Sequence, residues 1–87
     1  MADVAVKVTV RYFAAARAAA GFDDEIIGVA PGTTVAALLH SLGERDPELA
    51  KVLSRCSYLC DGIAVRDLAM TLGDAQTVDV LPPFAGG

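Results

Sequence analysis

The residues with the clearest chemical potential in this 87-residue chain are the last six, Pro82-Pro83-Phe84-Ala85-Gly86-Gly87. Two prolines cannot donate ladder hydrogen bonds, and they hold an extended path. The chain then sheds its side chains and stops. Gly has no Cβ, so a narrow tunnel in another protein can accept its backbone closely. The four residues from Phe84 to Gly87 reach roughly 13–14 Å when extended, at about 3.3–3.6 Å per residue. The carboxylate at the tip, with a reference pKa of about 3.3–3.7, is ionised near neutrality and can attack an activated phosphate. On this reading 82–87 is a flexible probe carried by a domain at 1–81. The plainer reading is a frayed end after a last strand, and spacing alone does not separate the two.

The remaining inventory for chemistry is thin: one His, two Cys and no Trp. Cys56 and Cys60 are too few for a disulfide framework. With only the distant His40 beside them, they give no zinc set of four, so no metal site is expected. If their segment were helical a redox pair one turn apart is conceivable. The plainer expectation is two small, partly buried apolar residues of a reducing cytoplasm. Eleven acids against seven bases leave a charge of −4, which argues against nucleic acid, whose recognition needs a basic face. Of the 54% apolar residues, sixteen are Ala. The larger side chains fill one small core and leave little room for a substrate cavity of about 300–1,000 Å³. A self-sufficient enzyme does not fit this composition.

Something must hold the tail. Val4, Val6, Val8, Val10 and Tyr12 alternate with Ala5, Lys7, Thr9 and Arg11, a strand period. Phe13 to Ala20 reads as a short helix closed by Gly21. Glu25 to Val29 is a second strand, and Pro31-Gly32 a turn. Thr33 or Thr34 can cap a main helix whose Val35, Leu38, Leu39 and Leu42 share one face. Gly43 to Pro47 is expected to interrupt that helix, and Leu49, Val52 and Leu53 suggest another turn or two. Ser57 to Cys60 and Ile63 to Val65 form a hairpin across Asp61-Gly62. Leu72-Gly73-Asp74 turns into a last strand, Thr77 to Leu81, with Val78 and Val80 inward and Asp79 solvated. This order predicts an α+β domain, one main helix packed across a mixed sheet.

Lys7, Arg11 and Arg17 break up any apolar stretch ahead of the Ala run at 14–20, so no signal peptide is expected. The longest uncharged run, 26–43, holds Pro31-Gly32 in its middle and does not span a membrane. The chain reads as a soluble, cytoplasmic domain.

Arg11-Tyr12-Phe13-Ala14, Thr33-Thr34-Val35, Leu72-Gly73-Asp74 and Leu81-Pro82-Pro83-Phe84-Ala85-Gly86-Gly87 together resemble the small subunit of molybdopterin synthase (MoaD-like) over essentially the whole chain. That family belongs with the ubiquitin-like sulfur carriers of β-grasp fold. Cys60-Asp61-Gly62 departs from its frequent Val-Asn-Gly, and the 43–56 segment is long for it. The resemblance implies a non-catalytic, sulfur-carrying subunit of a sulfurtransferase complex, with no cofactor of its own. An E1-like activating enzyme would use ATP to adenylate the Gly87 carboxylate. A cysteine desulfurase or rhodanese relay would then supply sulfur, giving a thiocarboxylate. The large synthase subunit would receive the tail and pass the sulfur to cyclic pyranopterin monophosphate. Gly86 would give clearance, while Pro82, Pro83, Phe84 and Ala85 project the tip.

A carrier that docks on several proteins needs an uncovered apolar patch. Phe13 and Leu81 stand where the family makes hydrophobic contact, with core packing as their alternative, and Phe84 reads as an interface anchor. His40 reads as a solvated helix residue. Asp23-Asp24-Glu25 reads as a solvated run or as steering for a basic partner. Two other readings keep the same fold: a related carrier for thiamine or cysteine synthesis, and a ubiquitin-like binding or modifier domain.

Overall fold

Every other residue of the first strand is sealed from water, and the fold follows from that alternation. The computed structural model describes residues 5–83. Along β1 (Val6–Tyr12), Val6, Val8, Val10 and Tyr12 are buried while Lys7 and Arg11 are exposed. Val4 lies outside the described residues. The elements that follow are α1 (Ala14–Ala20), β2 (Asp24–Val29), α2 (Val35–Arg45), α3 (Pro47–Leu53), β3 (Ser57–Cys60), β4 (Ile63–Ala64) and β5 (Thr77–Leu81). The five strands form one mixed sheet in the order β2-β1-β5-β3-β4. β1 and β5 run parallel at its centre, and the other neighbours are antiparallel.

The three helices cover one face. Val35, Leu38 and Leu42 of α2, with Leu49 and Leu53 of α3, bury against Val8, Val10, Val78 and Val80, each of those four valines fully enclosed. Leu39 is half-buried, packed at the margin of this core. Thr34 caps α2, its hydroxyl accepting the Ala37 N–H at 3.1 Å. Gly21 closes α1 in the left-handed region at φ 90°, the conformation that favours glycine.

The expected interruption at 43–47 is corrected. α2 continues through Gly43 and Glu44 to Arg45, because Gly43 is there for contact and not as a breaker. A Cβ on Gly43 would stand 3.1 Å from the Ala50 Cβ, so its absence lets α3 close on α2. The break falls on Asp46 alone. It ends α2 and caps α3, its Oδ1 accepting the N–H groups of Glu48 and Leu49 at 3.0 and 3.4 Å, with Pro47 in the first turn.

Two turns do more than reverse the chain. Asp61 (φ 51°) and Gly62 (φ 83°) make the β3–β4 hairpin with both residues left-handed. The Asp61 carboxylate also accepts the Thr77 N–H at 3.0 Å, fastening that hairpin to β5. In Leu72-Gly73-Asp74, Leu72 is buried and donates its N–H to Thr33 O at 2.9 Å. Asp74 Oδ1 accepts the Lys7 N–H at 2.9 Å, so this motif sets β5 beside β1.

The acidic run also differs from its solvated reading at one position. Glu25 receives Arg45 through both guanidinium nitrogens, at 3.0 and 2.5 Å, and the Tyr12 hydroxyl at 2.6 Å. Burial alone would raise the Glu25 pKa, but the bonds from Arg45 and Tyr12 outweigh it and hold the carboxyl below its ordinary range. Burial, then the bond to Glu25, drives the Tyr12 phenol upward.

Candidate functional site

The uncovered face of the sheet carries the other half of each strand's alternation. The pairings place Arg11 between Asp24 and Asp79, and Leu59 between Asp79 and Ala64. One step further along, Leu81 pairs with Ser57. Phe13 continues β1 in extended form (φ −122°, ψ 147°) and donates its N–H to Val80 O at 3.3 Å. Alternation therefore puts Phe13, Leu81 and Leu59 on the side away from the helices. All three are half-buried, and none belongs to the core.

Arg11 organises this surface. Its Cζ lies 5.2 Å from the centre of the Phe13 ring, within cation–π range. Its Nε lies 3.1 Å from Asp79 Oδ1. Asp79 was expected in solvent. Instead its side chain is only 15% exposed, and Oδ1 is shut from water without an aligned hydrogen bond. The cause is its central position: flanked by β1 and β3, a short side chain on β5 is covered by its neighbours even on the open face. The contact with Arg11 is thus close in distance but off the line of a hydrogen bond.

Leu81 passes directly into Pro82 and Pro83, so the chain leaves the sheet from its central strand beside Phe13. On the helix side, Pro82 and Pro83 share a groove of about 380 Å³ with Ala15, Val52, Lys51 and Arg55. In an acidic protein, two of the seven cations therefore flank the point of exit. The structure brings Phe13, Leu81, Pro82 and Pro83 to one end of the sheet. Phe84, Ala85, Gly86 and Gly87 lie outside the described residues.

Leu59 and the Arg11–Asp79 pair were not singled out from sequence. The signal was present in both cases. Leu59 sits on the outward phase of its strand, and Arg11 and Asp79 hold matching phases of two strands that pair. Only the strand order, which periodicity does not give, makes them neighbours.

The thiols stand apart from this surface. Cys56 is half-buried and donates its Sγ–H to Val52 O at 3.1 Å, and Cys60 is buried. Burial raises the Cys56 pKa. Burial, then the Asp61 charge, raises that of Cys60. Both are therefore kept as thiols, the less nucleophilic form. His40 is exposed, 3.4 Å from Glu44 on the same helix. Among the described residues no three His, Cys, Asp or Glu side chains gather as a metal set. Among them too, no helix is long and apolar enough to cross a membrane.

The family model described as "ThiS family" matches residues 10–87. The HVO 2177 protein of Haloferax volcanii, known from a solution structure, is 30% identical, with 95% of this chain and 88% of that one covered at a TM-score of 0.84. A putative molybdopterin converting factor, subunit 1, from Pyrococcus furiosus is 29% identical, covering 91% and 99%, with a TM-score of 0.82. Small archaeal modifier protein 1 from Methanosarcina acetivorans is 27% identical, covering 97% and 99%, with a TM-score of 0.80. No curated protein matches the sequence. The sheet order and these likenesses make the fold a ubiquitin-like β-grasp.

Proposed function

The chain belongs to the ThiS family of ubiquitin-fold sulfur carriers, and from that membership we propose that it carries sulfur on Gly87 for molybdopterin synthesis, as the small subunit of the synthase. The observation that carries this reading is the joint placement of the tail exit and the uncovered apolar surface. Pro82 and Pro83 leave the central strand next to Phe13 and Leu81. A protein that receives the tail meets that surface at the same moment. The likeness to the Pyrococcus furiosus subunit supports molybdopterin as the destination.

In this mechanism a carboxylate oxygen of Gly87 attacks the α-phosphorus of ATP in an E1-like activating enzyme, and pyrophosphate leaves. The acyl-adenylate is an electrophile that the resting carboxylate is not. A persulfide of a desulfurase or rhodanese relay attacks the acyl carbon and AMP leaves; a second thiol of the relay then cleaves the acyl disulfide, forming a disulfide on the relay and freeing the thiocarboxylate. Gly86 and Gly87 fit a tunnel because they lack side chains, while Pro82 and Pro83 aim them and Phe84 and Ala85 fill its mouth. Phe13, Leu81 and Leu59 bury against the large subunit, with Arg11 held ready for a polar partner at their centre.

The modifier reading has its own support in the likeness to small archaeal modifier protein 1. One experiment separates the two. The full chain is incubated with ATP, the activating enzyme and a sulfur donor, then weighed intact. A mass gain equal to one oxygen replaced by sulfur at the C-terminus, with transfer to a pterin acceptor, supports the carrier. An unchanged mass, or recovery only as amide-linked conjugates to other proteins, overturns it.

A further inference from the structure

The sheet has two edges, and they are unlike. β4 is two residues long, and short edge strands are a common protection against unwanted pairing. β2 is six residues long, carries no proline and no lysine, and exposes Ile26 at 71%. Its pairing with β1 decides which of its backbone groups face outward. Tyr12 N–H donates to Asp23 O at 2.8 Å, on the register that continues through Val10–Glu25, Val8–Ile27 and Val6–Val29. Bonded and non-bonded pairs alternate in an antiparallel ladder. The N–H and C=O groups of Asp24, Ile26 and Gly28 therefore point away from β1. Among the described residues, no turn or loop backbone group bonds to them, and all three residues are exposed.

We propose that β2 is a self-complementary edge that takes a second copy of this chain, two β2 strands pairing antiparallel about a two-fold axis at Ile26. In that register Ile26 meets Ile26, and Asp24 meets Gly28 of the other copy. These are the outward-facing residues of both strands, so each pair exchanges its N–H and C=O groups. Moving the axis to Glu25 sets two carboxylates opposite each other and drops Gly28 from the bonded set. Moving it to Ile27 drops Asp24 instead. The arrangement at Ile26 also places a small uncharged residue opposite each exposed Asp24. The two Asp24 side chains are then about four residues apart along the strands, roughly 13 Å, beyond the Debye length of about 8 Å at physiological salt. Ile26 buries against its own copy on the open face.

The pairing leaves the function of each copy intact. β1 stands between β2 and β5, so neither tail exit is covered. The two-fold axis reverses the strands, and the two tails leave in opposite directions. One strand pair buries less than the ~1,200 Å² of a standard interface, which puts the dimer among weak, transient contacts.

Sedimentation velocity on the full chain from about 10 μM to 1 mM tests the association. Amide exchange over the same range tests the strand. The expected result is concentration-dependent dimer, with Ile26 and Gly28 amides gaining protection and Ile27, already bonded to β1, unchanged. Ile26→Lys sets like charges at the axis and weakens association at least about tenfold. Ile26→Pro removes only an outward N–H and does the same, with thermal melts confirming that each variant folds. Ile63→Lys, on the other edge and equally exposed at 73%, leaves association unchanged. A monomer up to about 1 mM overturns the proposal. So does association without protection at Ile26 and Gly28, or association lost to Ile63→Lys and kept in Ile26→Lys.

Discussion

The two faces of the one sheet are built from the same strands and have opposite fates. Toward the helices, Val8, Val10, Val78 and Val80 are fully enclosed. Away from them, Phe13, Leu59 and Leu81 are left half-covered around a buried carboxylate and an arginine. The first face is uniform in chemistry and closed by three helices. The second mixes apolar and charged groups and, among the described residues, has no layer over it. On the proposed function, stability belongs to the closed face and recognition to the open one, and substitutions should separate along that line.

The largest expected effect needs neither face. Deleting Gly86-Gly87 abolishes sulfur loading completely while leaving the melting curve nearly unchanged, read by intact mass and by calorimetry. Unfolding on deletion would make the tail structural and remove the distinction. On the closed face, Leu38→Ala leaves a cavity under α2 and costs about 2–5 kcal/mol, measured by urea unfolding. On the open face, Phe13→Ala shifts stability by less than about 1 kcal/mol but weakens docking on the tail-receiving partner about tenfold or more, read by calorimetric titration. A large stability loss from Phe13→Ala would place it in the core and break the comparison.

The smallest effect sharpens the boundary between the faces. Glu25 sits at the rim of the closed face, tied to Tyr12 and Arg45. Its folded pKa lies below its ordinary value of 4.5. Its stabilising contribution is therefore complete above that value and disappears as pH falls through the folded pKa. Denaturation midpoints of the native chain should drop across this acid window, and Glu25→Gln should show a shallower drop there.

The elements were legible in the sequence because their signals are local. Alternation gave β1 and β5, Thr33-Thr34 and Gly21 marked helix ends, and Asp61-Gly62 marked its hairpin. What sequence hid depended on which elements meet. Gly43 looked like a breaker because nothing nearby in the chain shows Ala50 closing on it. Asp79 looked solvated because its strand is central only once β1 and β3 flank it. Glu25 looked like one acid among three because Arg45 lies a helix away. On the open face, resemblance singled out Phe13 and Leu81, which the structure places there, and passed over Leu59, since only strand order sets it beside Asp79.

β5 is the central strand of the sheet, yet it follows every other element in the chain. During synthesis, which proceeds from the N-terminus, β1 and β3 have no common neighbour until β5 leaves the ribosome. Val78 and Val80 reach the core last. The segment that completes the fold is also the one that runs into Pro82 and Pro83. A nascent chain broken off before β5 therefore lacks its central strand and stays open to proteolysis, whereas one that has reached Leu81 has the whole sheet.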